Sequence, residues 1–288
     1  MDLSIIIVSW NVRKYLECCL ASIAAGAEGL SFEVFVVDNA SQDATREWLV
    51  NYESGIRNNG RHPFHNSLFI IHNSTNRGFA AANNQAIAQA KGKYILLLNP
   101  DTELCTTPNF VQHSVLYMML RFMETHPRSG ILGPKLLNSD GTLQPSVRRF
   151  PNAWGPLLFS LGMSPKRYLA TDIDYTKAQQ VDQVMGAAFL IRRELINAIG
   201  MLDEKFFIWF EEVDYCKRAK SAGWEVWYTP DAVVLHHGGE SFAQVLTMKK
   251  QWMYSKSLLY YFRKHGEWAA YALNIAAVPF RLLLSLFV

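Results

Sequence analysis

Lys93-Tyr94-Ile95-Leu96-Leu97-Leu98-Asn99-Pro100-Asp101-Thr102-Glu103 is an apolar run that stops abruptly at a polar turn. Five apolar residues in a row, Tyr94 to Leu98, suit a strand buried on both faces, because a parallel strand covered by helices above and below has no solvent side. Pro100 removes a backbone donor and keeps Asn99 out of helical conformation, so Asp101 stands on a bend just past the strand. In open α/β sheets the crevice beyond the strand C-termini is where ligands bind. Asp101 is therefore a candidate for handling a metal or a phosphate. The plainer alternative is a turn made of turn-favouring residues.

Upstream, Ser4 to Ser9 reads as a core strand running into Trp10-Asn11. Val12 to Ala25 then carries Val12, Leu16, Cys19, Leu20 and Ile23 at helical spacing. Phe32 to Val37 is a second buried strand, closed by Asp38-Asn39-Ala40-Ser41-Gln42-Asp43, so the first segment is a βαβ unit with parallel strands and a right-handed crossover. A helix including Thr45 to Tyr52, capped by Ser41 or Asp43, precedes an exposed insertion over Ser54 to Ser67 and a short strand over Leu68 to His72. Asn76-Arg77-Gly78 opens a helix that continues to Ala90 and stops at Gly92. By Asp101 the pattern has delivered half of a doubly wound sheet, with polar residues gathered at every strand end.

Downstream, the expected elements are a helix over Pro108 to Thr125, a strand over Ile131 to Leu137, and a variable region from Phe150 to about Asp182 over the mouth of the site. A strand over Val184 to Ile191 containing Gly186-Ala187-Ala188 follows, then helices over Arg193 to Ile199 and Val213 to Ala222. Strands over Val226 to Tyr228 and Ala232 to Leu235 lead into His236-His237-Gly238-Gly239. Hydrophobic residues make up 50% and charged residues 18%, which excludes a disordered chain. Lys and Arg total 28 against 25 Asp and Glu, too even a balance to indicate a nucleic-acid partner. The four cysteines lack the paired spacing of a zinc site or a disulfide framework, and a reducing cytoplasmic setting fits them.

The side chains at the strand ends suggest chemistry. Asp38 can accept hydrogen bonds from a ribose hydroxyl or a base N–H, or can simply cap a turn. No Gly-x-Gly-x-x-Gly follows the first strand and no P-loop is present, which argues against dinucleotide binding and P-loop phosphotransfer. Arg77 and the backbone at Gly78 can face an anion. Glu211, Glu212 and Asp214 begin a helix after the aromatic run Phe206-Phe207-Ile208-Trp209-Phe210. Asp214 has Arg218 one helical turn away as a partner. Glu212 is a carboxylate that the aromatics can desolvate into a general base. His236 at a strand end can complete a metal site or touch phosphate.

Ser4-Ile-Ile-Ile-Val-Ser-Trp-Asn11, Val37 to Asp43, Asn76 to Asn84, Leu97-Leu-Asn-Pro-Asp101, Phe206 to Arg218 and His236 to Ser241 stand in an order and spacing that resembles the family 2 glycosyltransferases. Gly133 to Gln144 with Arg148-Arg149-Phe150-Pro151 looks most like their rhamnosyltransferase branch. The resemblance implies a GT-A fold, a Rossmann-like mixed sheet flanked by helices, over residues 1–241, with a nucleotide-binding half over 1–103 and an acceptor-binding half over 104–241. It implies inverting, metal-dependent transfer of a sugar, L-rhamnose from dTDP-rhamnose, from a nucleotide-diphosphate sugar donor to a hydroxyl of a glycan or polyprenyl-diphosphate-linked acceptor in cell-surface polysaccharide synthesis. Carried over by position, Ser9, Asn11, Asp38, Asn39, Arg77, Gly78, Asn83, Asn99, Asp101 and Gly186 follow the nucleotide sugar. Asp101 and His236 hold Mg2+ or Mn2+, with Asn99 replacing the first acid of the family's Asp-x-Asp motif. Glu212, or else Glu211, is the base. A sugar nucleotidyltransferase and a non-catalytic glycan- or nucleotide-binding module remain as alternatives.

After Glu240, Lys249, Lys250, Lys256, Arg263, Lys264 and Arg281 face the single acid Glu267. Met248, Trp252, Ser255, Leu259 and Phe262 share one helical face, and the chain from Trp268 to Val288 is nearly all apolar. Residues 242–288 are thus expected to form a basic, hydrophobic helical segment docking on the inner face of the cell membrane, or else a helix packing back on the domain.

Overall fold

The structure is a computed structural model that describes residues 1–27, 29–60, 62–105, 114–160, 162–239 and 244–286. The first half alternates as expected: β1 (Leu3–Ser9), α1 (Arg13–Gly26), β2 (Phe32–Asp38), α2 (Thr45–Arg57), β3 (Leu68–His72), α3 (Phe79–Ile87) and β4 (Tyr94–Leu98). These strands pair parallel in the order β3-β2-β1-β4. In register, Ser9 lies beside Asp38 and Asp38 beside His72, so the polar residues that close each strand come level along one rim. β1 and β4 are buried along their whole length, which is why neither shows a polar alternation.

The second half comprises β5 (Thr102–Leu104), α4 (Val115–Thr125), β6 (Ser129–Leu137), β7 (Leu143–Gln144), β8 (Val147–Arg148), α5 (Gly155–Ser160), β9 (Gln179–Gln180), β10 (Gln183–Val184), β11 (Ala188–Arg192), α6 (Arg193–Ile199), α7 (Glu211–Ser221) and β12 (Glu225–His236). β11 runs antiparallel between β4 and β6, β12 runs parallel to β6, and β5 pairs antiparallel with β12. The sheet is therefore mixed, as expected. Among the described residues its main path is β3-β2-β1-β4-β11-β6-β12-β5.

Four local readings differ. The segment expected as an exposed insertion over Ser54 to Ser67 begins inside α2, and its Ile56 and Phe64 are buried in the core because they pack under the sheet edge's apolar residues. The strand expected over Val184 to Ile191 is broken at Met185-Gly186-Ala187, because Gln183–Val184 pairs with Val147–Arg148 in a separate ribbon while Ala188–Arg192 joins the main sheet. The two strands expected between Val226 and Leu235 are one, with an irregularity between Thr229 and Val233 that absorbs Pro230. The variable region carries α5 and β9. Pro108 to 113 of the expected helix, Glu240, Ser241 and the boundary at 241 lie outside the described residues.

Side-chain alternation splits the core across the sheet: Leu3, Ile5, Ile7, Leu96 and Leu98 pack on one face, and Ile6, Val8, Ile95 and Leu97 on the other. A third cluster joins Phe206, Phe210 and Val213 to Leu258, Tyr261, Phe262 and Ala270, residues of α8 (Thr247–Lys264) and α9 (Trp268–Ala276), which α10 (Val278–Leu284) follows. The C-terminal helices thus pack on the domain through one face. That face is centred on Leu258, Tyr261 and Phe262, and it leaves Met248 and Trp252 exposed.

Asp214 locks this seam. Fully buried, it accepts from Arg218 at 2.9 Å, from Lys264 at 2.8 Å and 2.9 Å, and lies 3.0 Å from the Nε2 of His265. Burial alone would raise its pKa, but hydrogen bonds from His265 and Lys264, with Arg218 alongside, hold it below the ordinary aspartate value. Because the folded-state pKa is depressed, the stabilisation is present at neutral pH and is lost as pH falls through the carboxylate range. Asp214→Ala takes the shared acceptor from Arg218, Lys264 and His265, all partly buried, and should cost about 3 kcal/mol in urea unfolding at neutral pH. The gap from the parent should shrink toward about pH 3. An unchanged midpoint at pH 7 would refute the role.

Candidate active site

β4 ends where the Asn99 N–H donates to the Ala187 carbonyl at 2.8 Å, so the turn after it starts from a strand held on both sides. Thr102 Oγ1 donates back to the Asn99 carbonyl at 2.7 Å, and the His237 N–H donates to the Asp101 carbonyl at 2.9 Å. These bonds pin Asp101 against the end of β12. The Nε2 of His236 lies 3.5 Å from Asp101 Oδ1 and 3.4 Å from Asn99 Nδ2.

The tautomer of His236 follows from its neighbours. The Gln144 amide nitrogen donates to Asn138 Oδ1 at 2.9 Å and to the His236 carbonyl at 3.3 Å, which leaves Gln144 Oε1 to accept from His236 Nδ1 at 2.7 Å. With Nδ1 as the donor, the Nε2 lone pair faces Asp101. A carboxylate and an imidazole lone pair turned toward each other form a place for a cation. Among the described residues no group of three acidic, His or Cys side chains surrounds it. Two protein ligands suit a divalent ion that takes its other ligands from phosphates and water.

Glu211 and Glu212 open α7, and the two residues before it, Trp209 and Phe210, are both left-handed at φ 62° and 69°. For non-glycine residues that conformation costs about 1–2 kcal/mol each, offset here by Phe210 packing into the third cluster. The result aims both glutamates into shielded space, where one oxygen of each has no hydrogen-bond partner among the described residues. A helix N-terminus favours carboxylate charge by about 0.3–1 kcal/mol, but desolvation prevails. Burial raises Glu211 well above its ordinary pKa, with the Glu212 charge adding to it, and burial raises Glu212 as well. Two carboxyls side by side in one desolvated place do not both ionise readily, so they titrate as a pair.

Asp101, His236, Glu211 and Glu212 line one cavity of about 350 Å³, together with Trp10, Asn39, Asn76, Gly78, Asn99, Gly186, Phe207 and Trp209. That is large enough for part of a small-molecule ligand. Gly186 lies against Glu212, close enough that a Cβ there would make ordinary van der Waals contact with Glu212 Cβ and Cγ at 3.7 Å. Gly78 (φ 83°) is required by close approach: a Cβ would sit 2.4 Å from the Phe207 carbonyl oxygen, which accepts the Phe79 N–H at 2.7 Å. Asn39 clamps the same loop, donating to Asn76 Oδ1 at 2.9 Å and accepting the Arg77 N–H at 3.0 Å.

The other expected residues lie elsewhere. Asp38 is fully buried, accepting the Ser41 N–H at 3.0 Å with His72 Nδ1 at 3.3 Å, and does not line this cavity. Ser9 is buried, its hydroxyl unpartnered among the described residues. Asn11 (φ 55°) borders a second, shallower depression with Asp43, and Asn83 donates to the Phe79 carbonyl from inside α3. The Arg77 guanidinium is exposed and makes no ion pair among the described residues. Sequence reasoning missed Trp10, Asn76 and Trp209 as lining residues, and Gln144 as the group orienting His236. Trp209 was legible only as one of an aromatic run.

A family model described as Glycosyl transferase family 2 matches residues 4–200. The N-acetylglucosaminyl-diphospho-decaprenol L-rhamnosyltransferase of Mycobacterium tuberculosis (strain ATCC 25618 / H37Rv) is 27% identical over 256 residues, covering 83% of this chain and 77% of that protein. Rhamnosyltransferase WbbL of Escherichia coli (strain K12) is 24% identical over 273 residues, covering 90% and 92%. Among solved structures, the mannosyltransferase PcManGT from Pyrobaculum calidifontis in complex with GDP-Man and Mn2+ superposes with a TM-score of 0.61 at 15% identity, over 99% of this chain and 74% of that one. S. aureus TarS 1-349 in complex with UDP-GlcNAc gives 0.54 at 18% identity, over 90% and 66%. At these identities the structures speak to the fold, which is that of GT-A glycosyltransferases.

The raised Glu211 pKa has a measurable sign. Between the ordinary glutamate pKa and the folded value, the unfolded chain releases a proton that the folded chain keeps, so stability falls as pH rises through that window. Glu211→Gln lacks this loss. Its melting temperature relative to the parent should therefore be higher at about pH 8 than at about pH 4. A pH-independent difference would show that Glu211 is not desolvated.

Proposed function

Because the chain belongs to glycosyl transferase family 2 and is rhamnosyltransferase-like in sequence, we propose that it moves L-rhamnose from dTDP-rhamnose to a hydroxyl of a glycan or polyprenyl-diphosphate-linked acceptor, with inversion. The observation carrying this reading is the convergence of Asp101, His236 and Glu212, far apart in the chain, on one cavity. Asp101 and the Nε2 lone pair of His236 would hold Mn2+ or Mg2+. A divalent cation bound there supplies positive charge to the departing diphosphate.

Glu212 takes the proton of the acceptor hydroxyl as its oxygen attacks the anomeric carbon and the bond to the diphosphate breaks on the opposite face. One in-line displacement inverts the centre. Glu211, neutral, spares Glu212 a second charge at its side. Phe207 and Trp209 narrow the cavity against water, which would otherwise compete as acceptor.

Peripheral attachment to the inner face of the cell membrane is part of the proposal. No helix among the described residues is long and apolar enough to cross a bilayer. Leu246, Met248 and Trp252 are exposed beside the exposed Lys249 and Lys256, and Phe280, Leu283 and Leu286 are exposed on and after α10. Exposed apolar residues among lysines suit an anionic bilayer surface.

With dTDP-rhamnose and divalent metal, the parent should transfer sugar, while Asp101→Asn and Glu212→Gln should each lose about 100-fold or more in kcat with unchanged circular dichroism. Glu211→Gln should retain most activity. Full activity in Glu212→Gln would refute the assignment of the base, release of pyrophosphate from NTP and sugar phosphate would favour a nucleotidyltransferase, and donor binding without turnover would favour a binding module. In vesicle flotation, the chain should rise with vesicles containing anionic lipid and not with neutral ones, and Trp252→Ser/Lys249→Ser should reduce that fraction. Equal recovery in both vesicle types would argue against charge-assisted docking.

A further inference from the structure

Behind Glu212 lies a polar cluster that the chemistry above does not use. Arg281 of α10 is only 1% exposed; its Nη2 bonds Asn274 Oδ1, whereas Nε and Nη1 are shielded from solvent and have no acceptor among the described residues. The Tyr254 hydroxyl of α8 is also shielded from solvent, and it lies next to the Tyr168 hydroxyl and within electrostatic reach of Arg281. Tyr168 in turn is within electrostatic reach of Glu212, and Arg148 of both tyrosines. Neighbouring Arg149 is paired with Asp172, but neither Arg148 nor Arg281 makes an ion pair among the described residues.

A guanidinium buried with dry, unpaired N–H groups is unfavourable unless an anion meets it. A guanidinium with tyrosine hydroxyls is donor chemistry suited to phosphate oxygens. The cluster lies at a seam, since Asn274, which holds Arg281, also donates to the Ala153 carbonyl at 3.0 Å. The two segments forming that seam carry the exposed apolar residues Trp154, Phe159, Phe280 and Leu283.

We propose that Arg281, Arg148 and the hydroxyls of Tyr254 and Tyr168 form an anion subsite for the phosphate or diphosphate of the acceptor, holding the acceptor with its hydroxyl toward Glu212. This rests on the glycosyl-transfer reading and adds that the acceptor is recognised through a phosphoester at a place separate from the donor's diphosphate at Asp101 and His236.

The test uses the full chain with inorganic pyrophosphate in chelator, free of divalent metal and nucleotide, followed by calorimetry. Pyrophosphate should bind the parent and His236→Ala alike, about tenfold or more weakly to Arg281→Met, and measurably more weakly to Tyr254→Phe. Replacing a buried charge with an apolar side chain is commonly neutral or stabilising. Should Arg281→Met nonetheless fail to fold, Tyr254→Phe decides alone. No binding to the parent, binding indifferent to Arg281 and Tyr254, or binding lost in His236→Ala overturns the subsite. In kinetics, Arg281→Met should raise KM for a diphosphate-linked acceptor and leave KM for an uncharged alkyl glycoside unchanged; equal effects on both overturn acceptor recognition. Absence of transfer to either acceptor by the parent, with pyrophosphate binding still dependent on Arg281, would fell the glycosyl-transfer reading and the acceptor assignment while leaving the anion site standing.

Discussion

The confinement of β4 between β1 on one side and β11 on the other is the constraint on which the site depends. A strand hydrogen-bonded on both edges and buried on both faces cannot shift, so the bend at Asn99-Pro100-Asp101 begins from a fixed point. The chain then runs into Thr102–Leu104 and pairs with β12, whose last residue is His236. One short turn therefore ties the middle of the sheet to its far side, and the carboxylate of Asp101 meets an imidazole from more than a hundred residues later. Rigid strand ends hold such groups in place better than loops can.

A second constraint opposes the first in sign. The sheet end stabilises polar groups by bonding them, whereas the start of α7 leaves carboxylate oxygens dry. The helix dipole favours charge on Glu211 and Glu212, yet the low-dielectric surroundings prevail because solvation of a carboxylate is worth more than a terminal dipole. The cost is carried by the third apolar cluster, where Phe206, Phe210 and Val213 pack against the C-terminal helices. Those helices are consequently part of the structure behind the site, and Asp214, one turn along, fastens them through Lys264 and His265.

Much of this was legible before any coordinates. The apolar runs Ile5–Val8, Val34–Val37 and Tyr94–Leu98 announced doubly buried strands, and the helical spacing between them announced parallel connections. The i,i+4 spacing of Asp214 and Arg218 announced their pair, although nothing local pointed to Lys264 and His265. The stripe expected along α8 is divided by the fold: Ser255 and Phe262 are buried, whereas Met248 and Trp252, a turn or two earlier, stay exposed. Gln144 was invisible as a site residue: a glutamine in a two-residue strand has no pattern that says it will orient a histidine.

Periodicity and the order of short motifs determined, from the sequence by itself, the parallel half-sheet, the family resemblance and the acidic residues worth examining, because each is local or nearly so along the chain. Only the tertiary structure decided that Asp101, His236 and Glu212 share a cavity while Asp38 is sealed beneath its own turn, that Glu211 and Glu212 are desolvated together, and that Arg281 is buried with no carboxylate paired to it among the described residues. Those properties depend on which distant segments exclude water from a given atom, and that is set by packing across the whole fold, which no short stretch of residues encodes.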